Sequence, residues 1–263
     1  MTTRLTCRVS AGSHRRQYGE KKRKVVTRNW VSLFLAVLGM SFLLGCGGDS
    51  TTDLETLSRT MPPVLKNLVV TFAAHSPDDN SAGDFQFSRG EEKVFLEFGA
   101  TVIGPDGPKQ LPTFEYLVRD NITVLVPMDG IVDRVELNSD RDDYFIWFKP
   151  TATSSWRVEV DHVSNVTVSP GETVTAGSPL GNPGVWNGVP GMGRVELMIL
   201  FEEGTTEEFV CPFNVFDTAL EMEFREKIAQ HMMDWETFKG EANLYDEAAM
   251  FVPGCLLETM PAG

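Results

Sequence analysis

Two short segments, residues 124–132 and 166–181, constrain the fold of this chain more than any other feature. The first reads VLVPMDGIV and the second reads VTVSPGETVTAGSPLG. Each has a β-branched run, a turn at glycine and a further apolar run. This pattern is typical of two short strands joined by a turn at a residue that tolerates positive φ. We therefore expect the two segments to pair as hairpins that close a small β-barrel or sandwich, with the remaining chain placed around it.

The first 45 residues have the layout of a secretory signal. A basic region precedes an apolar run, residues 30–44, that is short for a transmembrane helix and ends in LLGC at Cys46. This ending resembles the bacterial lipoprotein signal, and the resemblance implies a diacylglycerol on the Cys46 sulfur after cleavage before that residue. The residue after Cys46 is Gly47 rather than Asp, as in lipoproteins that are transported to the outer membrane. The resemblance therefore implies a protein anchored in the outer membrane that faces the periplasm or the cell surface. An ordinary signal, or an anchor with a chance cysteine, is the alternative.

The part of the chain after Cys46 is strongly acidic. The 263 residues carry a net charge of −14, and residues 1–45 contain nine of the 23 Lys and Arg but a single acidic residue. This balance excludes nucleic acid and anionic lipid surfaces as partners. Attachment to a membrane would therefore depend on the lipid at Cys46.

We predict a mainly β fold of five parts. They are a lipoprotein signal peptide at 1–45, a polar tether at 46–63, an N-terminal β segment at 64–110, a β domain at 111–205 and a helical C-terminal appendage at 206–263. The expected core is a barrel-sandwich hybrid β-barrel with N-terminal strands.

Local patterns predict the individual elements. Alternating or continuous apolar runs predict strands at 65–74, 93–103, 144–148, 156–160 and 194–201. The strand at 144–148 is expected to be buried on both faces. The glycine-rich segment 181–193 predicts a loop. A helix is predicted from an Asp217 N-cap to Phe238, with Gly240 ending it.

Two cysteines remain once Cys7 leaves with the signal and Cys46 takes the lipid. Cys211 and Cys255 form a single pair in an oxidising compartment, which predicts a disulfide that stabilises the fold by roughly 3–4 kcal/mol in the chain-entropy model. A metal site built on this pair lacks the nearby His or Cys that tetrahedral sites need.

The glycine pattern is shared by two families that the rest of the chain does not fit. Biotinyl and lipoyl carrier domains need a Lys at a hairpin tip, and no Lys lies between Lys149 and Lys227. Periplasmic adaptor proteins of efflux pumps have a long helical hairpin between the two halves. Residues 133–165 are instead strand-like and have no heptads.

The order of motifs over residues 112–201 resembles the lysostaphin-type zinc endopeptidase domain. That domain has the duplicated-hybrid-motif fold and cleaves peptidoglycan cross-links. The matching segments are 124–132, the sequence VDHV at 160–163, the glycine segment 171–181, the Gly-rich loop after it and RVELMI at 194–199. The resemblance implies a zinc ion held by a His and an Asp four residues apart and by the second His of a His-x-His motif.

Most of the zinc ligands of that family have no counterpart in this sequence. The resemblance places a catalytic His at the position of Met192 and a zinc-binding His at the position of Arg194. Arg is always cationic and cannot bind a metal. Segment 111–117 contains no His, and only His162 remains, at the position of the family's second catalytic His. We therefore predict no catalytic residue, no metal and no cofactor, with His162 as a vestige.

The charged residues of this region are expected to neutralise one another. Arg194 would form an ion pair with Glu115 or Glu196 in place of the metal, and His162 would pair with Asp161 at a strand end. The alternative is a carboxylate-rich replacement metal site built from these acids and His162.

Three functions follow from these patterns. The first is a non-catalytic cell-envelope lipoprotein that binds peptidoglycan, or regulates or scaffolds an envelope protein. Its expected binding residues are Trp186, Asn187, Met192, Arg194, Glu196 and Glu115. The second is an active metallopeptidase that acts on peptidoglycan with rearranged ligands. The third is a structural subunit that binds through its C-terminal helix and residues 244–251.

Overall fold

A computed structural model of the chain describes residue 56 and residues 60–104, 107–186 and 189–262. The predicted signal segment, Cys46, nearly all of the tether and Asn187 lie outside these residues, so the inferences about them remain predictions. Among the described residues, the helices are too short or too polar to cross a membrane.

The described chain is mainly β, as predicted, with a long helix near its C-terminal end. The strands are β1 Ser81–Ala82, β2 Phe85–Gln86, β3 Phe95–Leu96, β4 Thr101–Gly104, β5 Gly107–Gln110, β6 Thr113–Arg119, β7 Val124–Leu125, β8 Gly130–Asn138, β9 Asp143–Lys149, β10 Trp156–Ser164, β11 Thr173–Val174, β12 Pro179–Val185, β13 Met192–Glu203, β14 Thr206–Val210 and β15 Thr259–Pro261. A 3-10 turn covers Pro212–Val215, and helix α1 covers Glu221–Lys239.

Eleven of these strands belong to one branched antiparallel sheet. Its path of hydrogen-bonded neighbours runs β11-β8-β9-β10-β12-β13-β14-β15, with β6 added to β13, β3 added to β6 and β7 added to β12. The hairpins β1–β2 and β4–β5 stand apart from it. The path does not return from β15 to β11, so the described strands do not close into a complete barrel.

The long strand β13 lies at the centre of this sheet. It pairs with β6 through residues 192–198, with β10 through residues 196–201 and with β14 through residues 200–203. Because side chains alternate along a strand, Val195, Leu197 and Ile199 all point into the core and are fully buried. The opposite face of β13 carries Arg194 and Glu196, and the candidate site forms around these two residues.

The two glycine-containing segments that organise the sequence pair with each other. Leu125 of β7 is opposite Pro179 of β12, and Ile131 of β8 is opposite Thr173 of β11. A Cβ at Gly130 would overlap the backbone carbonyl of Lys149, so this close approach of two strands requires glycine.

Two predicted strands are broken by local backbone geometry. Residues 65–74 form only isolated bridges, because Val69 adopts a φ of 60° and the Asn67 side chain binds both the Val69 N–H and the Val126 carbonyl. The predicted strand 93–103 divides into β3 and β4 at Gly99, where φ is 84°.

Two further predictions about strands are wrong. The predicted loop 181–193 is extended up to Val185, because β12 reaches that residue and pairs with β13. Strand β9 is not buried on both faces: Tyr144, Phe145 and Trp147 are only half-buried, whereas Ile146 and Phe148 are fully buried.

The C-terminal part keeps its predicted helix and disulfide, and it also adds two strands, β14 and β15, to the main sheet. The helix begins at Glu221 rather than directly after Asp217, whose carboxylate instead accepts the Ala219 N–H in a preceding turn. Gly240 ends the helix with a φ of 72°. The predicted disulfide between Cys211 and Cys255 is confirmed.

His231 of α1 is buried without hydrogen-bond partners among the described residues. The imidazole is 0% exposed, and neither ring nitrogen has a partner. Aromatic rings surround it, those of Phe72, Phe85, Phe87 and Phe95. Burial lowers the pKa of His231 to about 3, so the helix packs on the sheet only with a neutral imidazole.

We predict that His231 makes the fold sensitive to acid. The unfolded chain takes up a proton near pH 6.5 and the folded chain does not, so stability is complete above that pH and is lost as the pH falls. The free energy of unfolding should decrease by about 2–3 kcal/mol between pH 7 and pH 4.5 from this group. Urea unfolding at both pH values should show a smaller acid loss for His231→Phe than for the native chain. An equal loss in His231→Phe and the native chain would contradict the prediction.

Candidate functional site

Three carboxylates form a row across neighbouring strands of the main sheet. Glu115 of β6 is the register partner of Glu196 on β13, and Glu196 is in turn the partner of Asp161 on β10. Directly opposed residues share one face of a sheet at about 5 Å, where like charges repel. The row therefore requires cations beside it.

Arg194 supplies the first of these cations. It lies two residues before Glu196 on the same strand and therefore on the same face. Its Nη2 donates a hydrogen bond of 3.1 Å to Oε2 of Glu115, and its Nε lies 3.0 Å from Oε1 in an ion-pair contact. The same Nη2 donates to the Glu196 carboxylate. This confirms the predicted ion pair, and it involves both acids at once.

His162 supplies the second cation by means of a β-bulge. The register of β10 shifts between Val160 and Val163, and His162 within the bulge has a φ of 58°. A bulge re-aims a side chain that would otherwise alternate. As a result, the consecutive residues Asp161 and His162 both reach the cluster.

The imidazole of His162 lies among three carboxylates. Its Nδ1 is 2.8 Å from Oδ2 of Asp143, and its Nε2 is 3.5 Å from Oε1 of Glu196 and 3.7 Å from Oδ2 of Asp161. Burial acts to lower the pKa of His162, but the hydrogen bond with Glu196 and the charge of Asp161 outweigh it and raise the pKa above its usual value. The surroundings therefore favour an imidazolium.

Asp143 is the functional residue that the sequence did not reveal. It is 2% exposed, and its Oδ1 has no hydrogen-bond partner among the described residues. Gly184 makes room for it, because a Cβ there would overlap the Asp143 carboxylate. In sequence it belongs to the acidic turn before β9, which is typical of an exposed loop. The only available signal was the apolar strand that follows it.

The acids of the cluster titrate differently because their partners differ. Burial raises the pKa of Glu115 despite its pairing with Arg194. Burial also acts to raise the pKa of Glu196, but the hydrogen bond from His162 and the charge of Arg194 outweigh it and lower the pKa. At Glu159, two residues before Asp161, burial and then the Asp161 charge raise the pKa to about 7.

A cavity of about 740 Å³ adjoins this charged cluster. The β4–β5 hairpin, residues 91–97, strand β6 and Trp186 form its walls, and the guanidinium carbon of Arg194 lies 5.7 Å from the Trp186 ring centre. Of the expected binding residues, Trp186, Arg194 and Glu115 line this cavity. Glu196 joins the charged cluster instead.

Met192 does not reach the cavity. It is 3% exposed and packs in the hydrophobic core. Its N–H donates to the Val189 carbonyl, and its own carbonyl accepts the Trp186 N–H. The expectation that Met192 contacts a ligand is therefore corrected.

The residues present do not fit the zinc site that the resemblance implies. Among the described residues, Asp143, Asp161 and His162 offer ligand atoms within 4.8 Å of one another. Zinc is held by neutral imidazoles, thiolates and carboxylates, and the site that the resemblance implies needs two imidazoles and one carboxylate. This cluster has a single imidazole, hydrogen-bonded to a carboxylate at Nδ1, and a guanidinium on the neighbouring Glu196.

Comparisons with known proteins identify similar solved structures. No protein-family model and no curated protein matches the chain. It is similar to the catalytic domain of the prophage-encoded M23 protein EnpA from Enterococcus faecalis, with 19% identity and a TM-score of 0.35 over 45% of this chain and 88% of that one. It is also similar to lysostaphin from Staphylococcus simulans, with 15% identity and a TM-score of 0.35 over 42% and 44% of the two chains.

A third similar structure is a putative glycyl-glycine endopeptidase lytM from Ruminococcus gnavus, with 20% identity and a TM-score of 0.31. The match covers 39% of this chain and 44% of that one, so this chain spans less than half the length of lysostaphin and of the lytM protein. These are M23 or lysostaphin-type domains. The identities lie below 25% and the TM-scores below 0.5, so the chemistry has to be argued from the residues themselves.

We predict that Glu159→Gln stabilises the protein at neutral and alkaline pH. The carboxyl pKa is about 7 in the folded chain, so the ionisation of Glu159 destabilises the folded state. The contribution of the neutral carboxyl group to stability is complete below about pH 4.5 and is lost as the pH rises to about 7. The free energy of unfolding should increase by roughly 2–3 kcal/mol at pH 8 and stay unchanged at pH 4. Urea titrations at both pH values measure this difference, with the exposed Glu207→Gln as control. A gain of equal size at both pH values would refute the assignment.

Proposed function

We propose that this chain is a non-catalytic, lipid-anchored protein of the cell envelope, whose peptidase-like β domain binds peptidoglycan or an envelope protein that it regulates or scaffolds. The observation that carries the proposal is the position of Arg194. Its guanidinium lies against both Glu115 and Glu196, on the sheet face where the resemblance would place a metal.

The chemistry of that position opposes metal-dependent hydrolysis. A guanidinium stays cationic at every accessible pH, and it repels a divalent cation. It also occupies carboxylate oxygens of Glu115 and Glu196, which removes these two acids from a carboxylate-rich metal site. Glu196, Asp161 and Asp143 favour the imidazolium form of His162, and in that form the ring can neither accept a proton from water nor ligate a metal.

The envelope location rests on the sequence. The LLGC segment ending at Cys46 would place the lipid at the start of the mature chain. The acidic composition of the chain after Cys46 argues against nucleic acid as a partner. Peptidoglycan is proposed as the ligand because the sequence over residues 112–201 resembles domains that act on it.

A second candidate function is supported by one observation. Asp143, Asp161 and His162 bring three ligand atoms within 4.8 Å. If His162 lost its proton, these residues would offer a His and two carboxylates, a set that divalent metals accept. A metallopeptidase with rearranged ligands is therefore the alternative that the experiments have to separate.

We predict that the full chain, purified in detergent, holds zinc at background level and sediments with insoluble peptidoglycan without cleaving it. Metal analysis after zinc incubation, a sedimentation assay and the turbidity of a peptidoglycan suspension measure the three properties. Stoichiometric zinc with chelator-sensitive clearing would establish the second candidate. Protein that stays in the supernatant would contradict peptidoglycan binding.

Substitution of Arg194 provides a direct test of its role. Arg194→Gln leaves Glu115 and Glu196 buried without their cation, so we expect a loss of about 3 kcal/mol in the free energy of unfolding. Zinc should then bind among the released carboxylates and His162, and should restore part of the stability. Thermal unfolding with and without zinc measures both effects, and Arg134→Gln, which removes an exposed ion pair with Glu136, is the matched control. Equal zinc binding by the native chain and Arg194→Gln would remove the basis for a non-catalytic site.

A further inference from the structure

The cavity beside the charged cluster is built largely by residues outside the region of resemblance. Twelve of its 17 lining residues belong to residues 91–111, which precede that region. At about 740 Å³, it has the size of sites that hold small organic ligands or short peptides. What it binds therefore has to be argued from its own lining.

An apolar surface forms one part of this lining. It consists of Leu96, Val102, Ile103, Leu111, Leu117 and Trp186. Ile103 lies on the β4–β5 hairpin and is 82% exposed, so a large aliphatic side chain faces solvent at the cavity wall. Contact with aliphatic groups of a ligand would bury this surface.

The charged side chains of the lining fall into two groups. Four are neutralised within the protein: Lys93 pairs with Glu97 at 2.8 Å, and Arg194 pairs with Glu115. The remaining four are Glu91 and Glu92 on the loop before β3, Lys109 on β5, and Arg141 in the β8–β9 turn. None of these four side chains forms an ion pair with another described residue.

We propose that this cavity binds a short zwitterionic peptide with aliphatic side chains. Lys109 and Arg141 would receive its carboxylate, Glu91 and Glu92 would receive its ammonium group, and the apolar lining would cover its side chains. The proposal rests on the proposed binding function and names the class of its ligand. Two unpaired acids oppose a polyanion such as a nucleotide, and four charges at the rim oppose a hydrocarbon chain.

The probe is the tetrapeptide Gly-Leu-Leu-Gly, used in four forms with the amino terminus free or acetylated and the carboxyl terminus free or amidated. Isothermal titration calorimetry of the full chain in detergent at low salt should show the tightest binding for the form with both ends free. Each blocked end should weaken binding by about fivefold, the upper range for a partly exposed ion pair.

Two double variants assign the charges to their partners. Lys109→Gln/Arg141→Gln should remove the difference between free and amidated carboxyl ends and keep the effect of acetylation. Glu91→Gln/Glu92→Gln should do the reverse. The matched control is Arg134→Gln/Glu136→Gln, an exposed pair that is absent from the cavity lining, and it should leave all four affinities unchanged. Unchanged thermal unfolding shows that each variant is folded.

The results separate this inference from the proposed function. Absence of binding by all four forms at millimolar concentration, or equal affinity for all four, would overturn the inference. Such a result leaves the proposed function in place if the protein still sediments with peptidoglycan. Mass spectrometry of the tetrapeptide after incubation tests the proposed function separately, because a cleaved product would show hydrolysis.

Discussion

The contact of the Arg194 guanidinium with Glu115 and Glu196 is the interaction on which the centre of this protein depends. The two acids are opposed on adjacent strands and are shielded from water. Without a cation between them, their repulsion and desolvation would act against the pairing of β6 with β13. The same guanidinium that permits this pairing occupies oxygens of Glu115 and Glu196, whereas the group that could hold a metal, Asp143, Asp161 and His162, lies beside it. Stability of the sheet at Glu115 and Glu196 therefore depends on one residue.

A second constraint connects the strands on the other side of Glu196. His162 sits in a bulge with a left-handed backbone, a conformation that costs free energy for a residue other than glycine. Its contacts with Asp143 and Glu196 offset this cost and hold β9, β10 and β13 together. Oδ1 of Asp143 remains without a partner among the described residues. The cluster is thus not fully satisfied, and the removal of His162 would leave Asp143 with no partner at all.

The sequence was informative where a local pattern decides the structure. The alternation in 194–201 predicted the buried face of β13, and Gly240 predicted the end of the helix. The ion pair was predictable because Arg194 and Glu196 share a strand face. Asp143 was not, because it lies 19 residues from His162 and only the bulge and the gap at Gly184 bring them together. Met192 has the same strand parity as Arg194, yet it is buried in the core and its backbone is hydrogen-bonded to Trp186 and Val189, which no alternation rule could reveal.

The distribution of paired and unpaired charges separates the structural part of the site from the part available to a ligand. Arg194 and His162 are committed to carboxylates of the sheet, so a ligand that competed for them would have to break pairs that are mostly buried. The charged side chains on the loop before β3, on β5 and in the β8–β9 turn form no ion pairs with the described residues and are closer to solvent. In the proposed binding function, the segments around the sheet would therefore determine which ligand is bound. Substitutions in these segments would not disturb the pairing of β6 with β13. A fold that fixes its central charges internally in this way is consistent with the proposed binding function, in which the surrounding segments would recognise the ligand.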